Sequence, residues 1–212
     1  MRIIIFSHPR SCSTYLQNLI VKKSNLQNWG EMVGPKTPHI FKHEDLYTYD
    51  NYVTKLVTLH LLGNHFHTQL EDIRWDNIDQ VFITERHNIV DQTCSMMYRW
   101  TSHTNGNIID VKSDLFNSLI KALNIFYSAK EFLLQNTNAK VIFYEMFQKQ
   151  PIEYISELNE LTSYNFTVDD CSSIKNAKNY STLIENYDEV KNIVESSCDG
   201  TGRRSGLKIR RP

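Results

Sequence analysis

The chain has 212 residues, 41% of them hydrophobic and 11% aromatic, enough to bury a substantial core within one domain. A formal net charge of −1 excludes a molecule that gathers nucleic acid through its overall field, so an anion has to be gripped by local arrangement. Cysteines at positions 12, 94, 171 and 198 form no CxxC pair and no zinc-like spacing. They fit thiols in a reducing compartment better than a disulfide framework, and they offer no metal site.

In chain order, the first apolar run is Ile3 to Phe6, a buried strand too short for a signal sequence or a membrane span. A soluble, cytoplasmic protein is expected. The break "SHPRSCST" leads into a helix over Ser13 to Lys23, with Leu16, Leu19 and Ile20 on one face. The turn-rich "GEMVGPKTPH" reads as a loop, and β-branched runs at Tyr52 to Leu59 and Val81 to Thr84 read as strands. A helix over Ile89 to Trp100, a loop "SHTNGN" and a helix over Leu115 to Leu134 follow. A strand at Val141 to Tyr144, a helix at Ile152 to Leu161, a loop "NAKNYST" and a helix at Tyr187 to Ser196 complete the pattern. Short continuous apolar strands alternating with helices predict an α/β fold around a mainly parallel sheet flanked by helices. Ligands bind such sheets beyond the carboxyl ends of the strands, where "SHPRSCST" lies.

A strand, a tight loop and a helix would aim the first backbone N–H groups of that helix at one point, with the hydroxyls of Ser11, Ser13 and Thr14 beside them. Helix N-termini carry donors without intrahelical partners and a positive partial charge, so these are the ingredients of an anion site. Arg10 adds a planar, permanently charged fork suited to phosphate or sulfate oxygens. Plain helix capping would use one hydroxyl. The Walker pattern GxxxxGK[ST] is absent, glycines and lysine alike, which disfavours an ordinary ATPase.

Pro9-Arg10-Ser11-Cys12-Ser13-Thr14 resembles the 5′-phosphosulfate-binding loop of the sulfotransferase family, commonly Pro-Arg-Ser-Gly-Ser-Thr after the first strand. Cys12 stands at the usual glycine, so it needs a backbone conformation that glycine adopts freely. A second segment, "VFITERHNIVDQTCSMMYRW", resembles the family's 3′-phosphate grip. The resemblance implies that Arg86, at the end of a strand, and Ser95, in the next helix, hold that phosphate, with His87 able to share the charge. "AKVIFYEMFQKQP" is similar to the family's late strand and turn through Tyr144-Glu145 and Pro151, a mostly structural element. "IENYDEV" is similar to a segment of short sulfotransferase-like proteins of marine bacteria and their phages.

The resemblance implies a three-layer P-loop-like fold, with one domain over residues 1–197 and a basic tail over 198–212. It implies transfer of a sulfuryl group from 3′-phosphoadenosine 5′-phosphosulfate (PAPS) to a hydroxyl or amine acceptor, by in-line displacement and without a metal, leaving adenosine 3′,5′-bisphosphate (PAP). Such chemistry needs positive charge on the sulfuryl oxygens and leaving phosphate, and a base for the acceptor proton. Arg10 is the first candidate for the charge. Lys55, in "YVTKLVTLHLL", is the second, being similar to the family's lysine-bearing strand.

Glu31, in "NWGEMVGP", resembles the family's Gly-Glu segment, and a carboxylate partly withdrawn from water can act as a general base. His60 is the competing base, with His65 and His67 behind it. The acceptor, whether a sugar, a small alcohol or phenol, a lipid or a peptide, is left open, as is the oligomeric state. Trp29, Tyr52, Trp75 and Tyr98 are core aromatics or pocket lining. The basic tail "GTGRRSGLKIRRP" bears loosely on the family's closing segment and implies no specific nucleic-acid partner. Two alternatives stand beside the enzyme: a non-catalytic PAP- or nucleotide-binding protein, and a P-loop-type phosphotransferase that would bind ATP with magnesium.

Overall fold

A computed structural model describes residues 1–32, 44–62, 70–99, 104–147, 151–171 and 178–197. His65, His67 and the basic tail 198–212 lie outside the described residues, as does most of the "GEMVGPKTPH" segment.

Five strands form one sheet: β1 (Arg2–Ser7), β2 (Gln27–Glu31), β3 (Tyr52–Val57), β4 (Gln80–Glu85) and, after a small hairpin, β7 (Lys140–Phe143). Their order is β2-β3-β1-β4-β7, and every neighbouring pair is parallel. The predicted α/β architecture with a parallel sheet is therefore what the chain adopts. Continuous apolar runs serve these strands because both faces are covered: Ile3, Ile4, Ile5 and Phe6 of β1 are all 0% exposed.

On one face Ile3, Ile5, Val53 and Phe82 meet Leu16, Leu19 and Ile20 of α1 (Ser13–Lys23). On the other, Ile4, Phe6 and Ile83 meet Phe126, Ala129 and Leu133 of a long helix, α5 (Asp114–Asn136). The short helix α2 (Asp45–Thr48) adds Leu46 to that second layer. A third cluster joins α4 (Ile89–Arg99) to α5 and to α8 (Tyr187–Ser197). Helices α6 (Pro151–Thr162) and α7 (Val168–Cys171) flank α1, and Asp170 of α7 pairs with Lys22 at 2.8 Å and Lys23 at 2.7 Å. Among the described residues, no helix is long and apolar enough to cross a membrane.

Three local expectations change. The strand expected over Tyr52 to Leu59 ends at Val57, and Thr58–Leu61 forms a short helix, α3. The segment around Glu31, expected as a loop, is the edge strand β2. "QNWGE" combines Gln, Asn and Gly, poor strand formers, and it is pairing with β3 that extends it. Its register shifts between Asn28 and Glu31, at Gly30, whose φ of 65° suits glycine and lets the strand kink. "SHTNGN" is in part a hairpin, with β5 (Thr104–Asn105) and β6 (Ile108–Ile109) paired antiparallel around Gly106.

Of the four aromatics, Tyr52 and Trp75 are core residues with satisfied polar atoms. The Tyr52 hydroxyl donates to the Leu46 carbonyl at 2.8 Å, and Trp75 Nε1 donates to the Leu70 carbonyl at 2.8 Å. Trp29 stacks on Tyr52 at 4.1 Å, and Tyr98 meets Tyr180 edge-on.

Candidate anion-binding site

The chain leaves β1 toward β2 on the β3 side of the sheet and leaves the neighbouring β4 toward β7 on the other side, so the connections after these two strands diverge. A crevice opens at such a switch point, and the loop of Pro9 to Cys12 fills it. The hydroxyl of Ser11 donates to the His8 carbonyl at 2.7 Å and lies 2.8 Å from the hydroxyl of Thr84 on β4. Gln92 of α4 donates through Nε2 to the Pro9 carbonyl at 2.7 Å. The loop is thus tied to both β4 and α4. The three hydroxyls expected to converge do not: that of Ser11 is turned into the fold, where the residue is 1% exposed.

The loop owes its shape to two residues in the left-handed region. Arg10 has φ 66° and Cys12 has φ 75°, so Cys12 adopts the conformation for which glycine is the usual choice. It stands immediately before α1, makes no side-chain capping hydrogen bond, and its carbonyl accepts from the N–H groups of Tyr15 and Leu16 at 3.0 and 3.1 Å. A left-handed residue joined to the right-handed start of a helix bends successive N–H groups into a concave nest, which favours an anion. The helix dipole adds to it.

Three cations reach this region. Arg10, exposed, donates from Nε to the hydroxyl of Ser95 at 3.2 Å. Lys55, in the middle of the sheet and only 4% exposed, donates from Nζ to the Thr14 hydroxyl at 2.8 Å and to Glu31 Oε1 at 3.1 Å. A lysine is tolerated there because both contacts satisfy it. The alternation of a strand explains the convergence: Lys55 shares the α1 side of the sheet with Val53, as Thr84 does with Phe82.

Arg86 follows Thr84 just beyond β4 and is 5% exposed. Its Nε is buried with no hydrogen-bond partner among the described residues, and Glu145 Oε1 stands 3.9 Å away, an ion-pair distance beyond hydrogen-bond reach. The guanidinium carbon lies 4.7 Å over the Tyr144 ring, whose hydroxyl pKa is raised by burial first, against the opposing pull of Arg86. His87 does not share Arg86's position: its ring stacks on Phe143 at 4.1 Å, and its backbone N–H donates to Glu145 Oε2 at 3.1 Å.

The structure therefore brings Arg10 together with Ser95, and Lys55 with Thr14 and Glu31, while Cys12 closes the turn between them and Ser13 opens α1. Glu31 keeps a side chain that is 41% exposed. His60 lies in α3. Two thiols, Cys94 and Cys12, differ sharply. Cys94 is 0% exposed and burial pushes its pKa up to about 12, whereas Cys12 is half-buried at the loop.

Two features escaped sequence reasoning. His8 is 2% exposed, with Nδ1 at 3.0 Å from the Thr58 hydroxyl, and burial pushes its pKa down to about 3. Its only signal was a histidine before a proline at a strand end. The grip of Glu145 on two consecutive residues was signalled by "YE" at the end of a strand, but its target was not. Among the described residues, no cluster of three or more His, Cys, Asp or Glu side chains is placed to hold a metal ion.

No protein-family model matches the chain, and no curated protein matches it in sequence. A solved structure, the mouse sulfotransferase SULT7A1 complexed with PAP, is similar in fold: 14% identity, a TM-score of 0.51, and coverage of 91% of this chain and 74% of that one. With the parallel five-stranded sheet between layers of helices, that likeness gives this chain a sulfotransferase-like, P-loop-like α/β fold.

Proposed function

We propose that the protein is a sulfotransferase that uses PAPS as donor and a small molecule, sugar or peptide carrying a hydroxyl or amine as acceptor. The observation that carries this reading is Arg86, a residue 5% exposed whose Nε has no hydrogen-bond partner among the described residues. A buried cationic donor without an acceptor is unfavourable unless an anion completes it. A phosphate group fits that need, and the nest at Cys12 with Arg10 provides for a second anionic group on the same ligand.

Arg86 and Ser95 would hold the 3′-phosphate; the loop residues Arg10, Ser11, Cys12, Ser13 and Thr14 would hold the 5′-phosphosulfate. Ser11 would act through its backbone, since its hydroxyl is engaged with His8 and Thr84. PAPS, when bound, supplies the activated sulfuryl group and a phosphate as its leaving group. Arg10 and Lys55 set two positive charges against the developing negative charge. Glu31 is the base: its carboxylate is anchored by Lys55 at 3.1 Å, and its side chain is 41% exposed beside the loop. The Glu31–Lys55–Thr14 chain then couples the base to the loop. The unit responsible is one domain over residues 1–197, in a cytoplasmic protein.

Thermal-shift and turnover measurements test the proposal. PAP is expected to raise Tm where ATP with magnesium does not; stabilisation by ATP alone would overturn the donor assignment and favour a phosphotransferase. With radiolabelled PAPS, Glu31→Gln should lower turnover by roughly 100-fold or more and His60→Ala much less. Near-normal turnover in the glutamine variant would remove Glu31 from the role, and PAP binding without transfer to any acceptor would mark a binding protein.

A further inference from the structure

Arg86 is held in an unusual way. The carboxylate of Glu145 spans two consecutive residues of the turn beyond β4: Oε2 accepts the His87 backbone N–H at 3.1 Å, and Oε1 stands 3.9 Å from Arg86 Nε. Glu145 itself is largely buried, with 12% of its side chain exposed, in the 3-10 turn Tyr144–Phe147 that follows β7. Neighbouring Tyr144 forms the other wall, its ring 4.7 Å from the guanidinium carbon.

Had the carboxylate formed the two-pronged hydrogen bond that arginine and carboxylate favour, the guanidinium would be neutralised and its donors consumed. Held by its backbone contact, the carboxylate attracts Arg86 without consuming Nε. The flat ring of Tyr144 restrains the guanidinium plane in turn.

We propose that Glu145 is a positioning residue that sets the direction of the Arg86 guanidinium for a phosphate ligand. This rests on the reading of Arg86 as the 3′-phosphate grip. The role is separate from holding the fold together, because a glutamine keeps the acceptor for His87 N–H while removing the charge beside Arg86.

Calorimetric titration of the full chain with PAP and with adenosine 5′-monophosphate, which lacks the 3′-phosphate, tests it. Glu145→Gln should bind PAP roughly tenfold more weakly, the scale on which a partner behind a ligand-holding group acts. Its affinity for the monophosphate and its Tm should stay near wild type. Should the glutamine variant fail to fold, Glu145→Met fills similar space without charge and is expected to show the same selective loss.

Undiminished PAP affinity in a folded variant overturns the positioning role, as does an equal loss for both nucleotides. A wild-type protein that does not prefer PAP over the monophosphate overturns the phosphate reading of Arg86 itself, and the positioning role with it. Preference in the wild type retained in the variant overturns the positioning role alone.

Discussion

Cys12 adopts φ 75° and ψ 11°, a left-handed conformation that costs an L-residue roughly 1–2 kcal/mol. Glycine escapes that strain but loses more chain entropy on folding, which returns roughly 0.5–1 kcal/mol. Cys12→Gly should therefore stabilise the protein by roughly 0.5–1 kcal/mol, and urea denaturation at constant slope would check it. Cys12→Val should destabilise, because a β-branched side chain tolerates this region worst. His8 sets a second residue-scale expectation. Its ordinary value is 6.5, and burial lowers the folded value to about 3. Between those limits the unfolded chain binds the proton that the folded chain refuses, so stability falls as pH drops below 6.5. Going from pH 7 to pH 5 should cost roughly 2 kcal/mol at this site. His8→Asn, which can keep an acceptor or donor toward Thr58, should remove that share of the acid slope; an unchanged slope would assign it elsewhere.

At the scale of elements, Lys55 joins three of them: β3, which carries it, α1 through Thr14, and β2 through Glu31. Burying its ammonium is expensive, and the two contacts offset that expense without a large surplus. Lys55→Met, of similar length, should leave Tm unchanged or slightly raised while weakening PAP binding by about tenfold or more, the loss of roughly 1.4 kcal/mol or more of charge attraction. Opposite signs in Tm and affinity would mark a lysine retained for its ligand. A parallel fall in both would mark a structural one. The same cluster explains why β2 was not legible in sequence. "QNWGE" has neither the alternation nor the β-branched residues of a strand, and only the neighbouring edge of β3 supplies the partners that extend it. The end of β3 at Val57 is hidden in the sequence for a related reason. "YVTKLVTL" stays apolar and β-branched past Val57, and the tertiary contact of Thr58 with His8 accompanies the turn that periodicity could not locate.

At the scale of the whole molecule, the last described helix is integral: Val190 and Val194 of α8 are both 0% exposed, packed with α4 and α5. A chain ending at 197 should therefore unfold cooperatively with a Tm near that of the full chain. One ending at 186 should lose much of that third cluster and unfold at a clearly lower temperature. Differential scanning calorimetry of the two truncations would separate these outcomes, and a large Tm drop in the longer one would show that the basic tail contributes to the fold.

The apolar runs of the sequence already specify the architecture and the strand-loop-helix turn of Pro9 to Cys12. Buried parallel strands require continuous apolar runs, and the strand-loop-helix order of Ile3 to Lys23 puts helix N–H groups at a strand end whatever the rest of the chain does. The need for an unusual backbone at Cys12 was legible too, since it concerns one residue and its local dihedrals. How distant charges are paired is a matter of tertiary packing. That Arg10 meets Ser95, that Lys55 reaches both Thr14 and Glu31, and that Glu145 stands beside Arg86 without bonding to it depends on strand register and helix packing. These set distances of a few ångströms between residues tens of positions apart, and neither composition nor periodicity carries that information. The inward turn of the Ser11 hydroxyl belongs to the same class. A serine looks alike in sequence whether it faces a ligand or Thr84, and its direction is set by which buried acceptor it must satisfy.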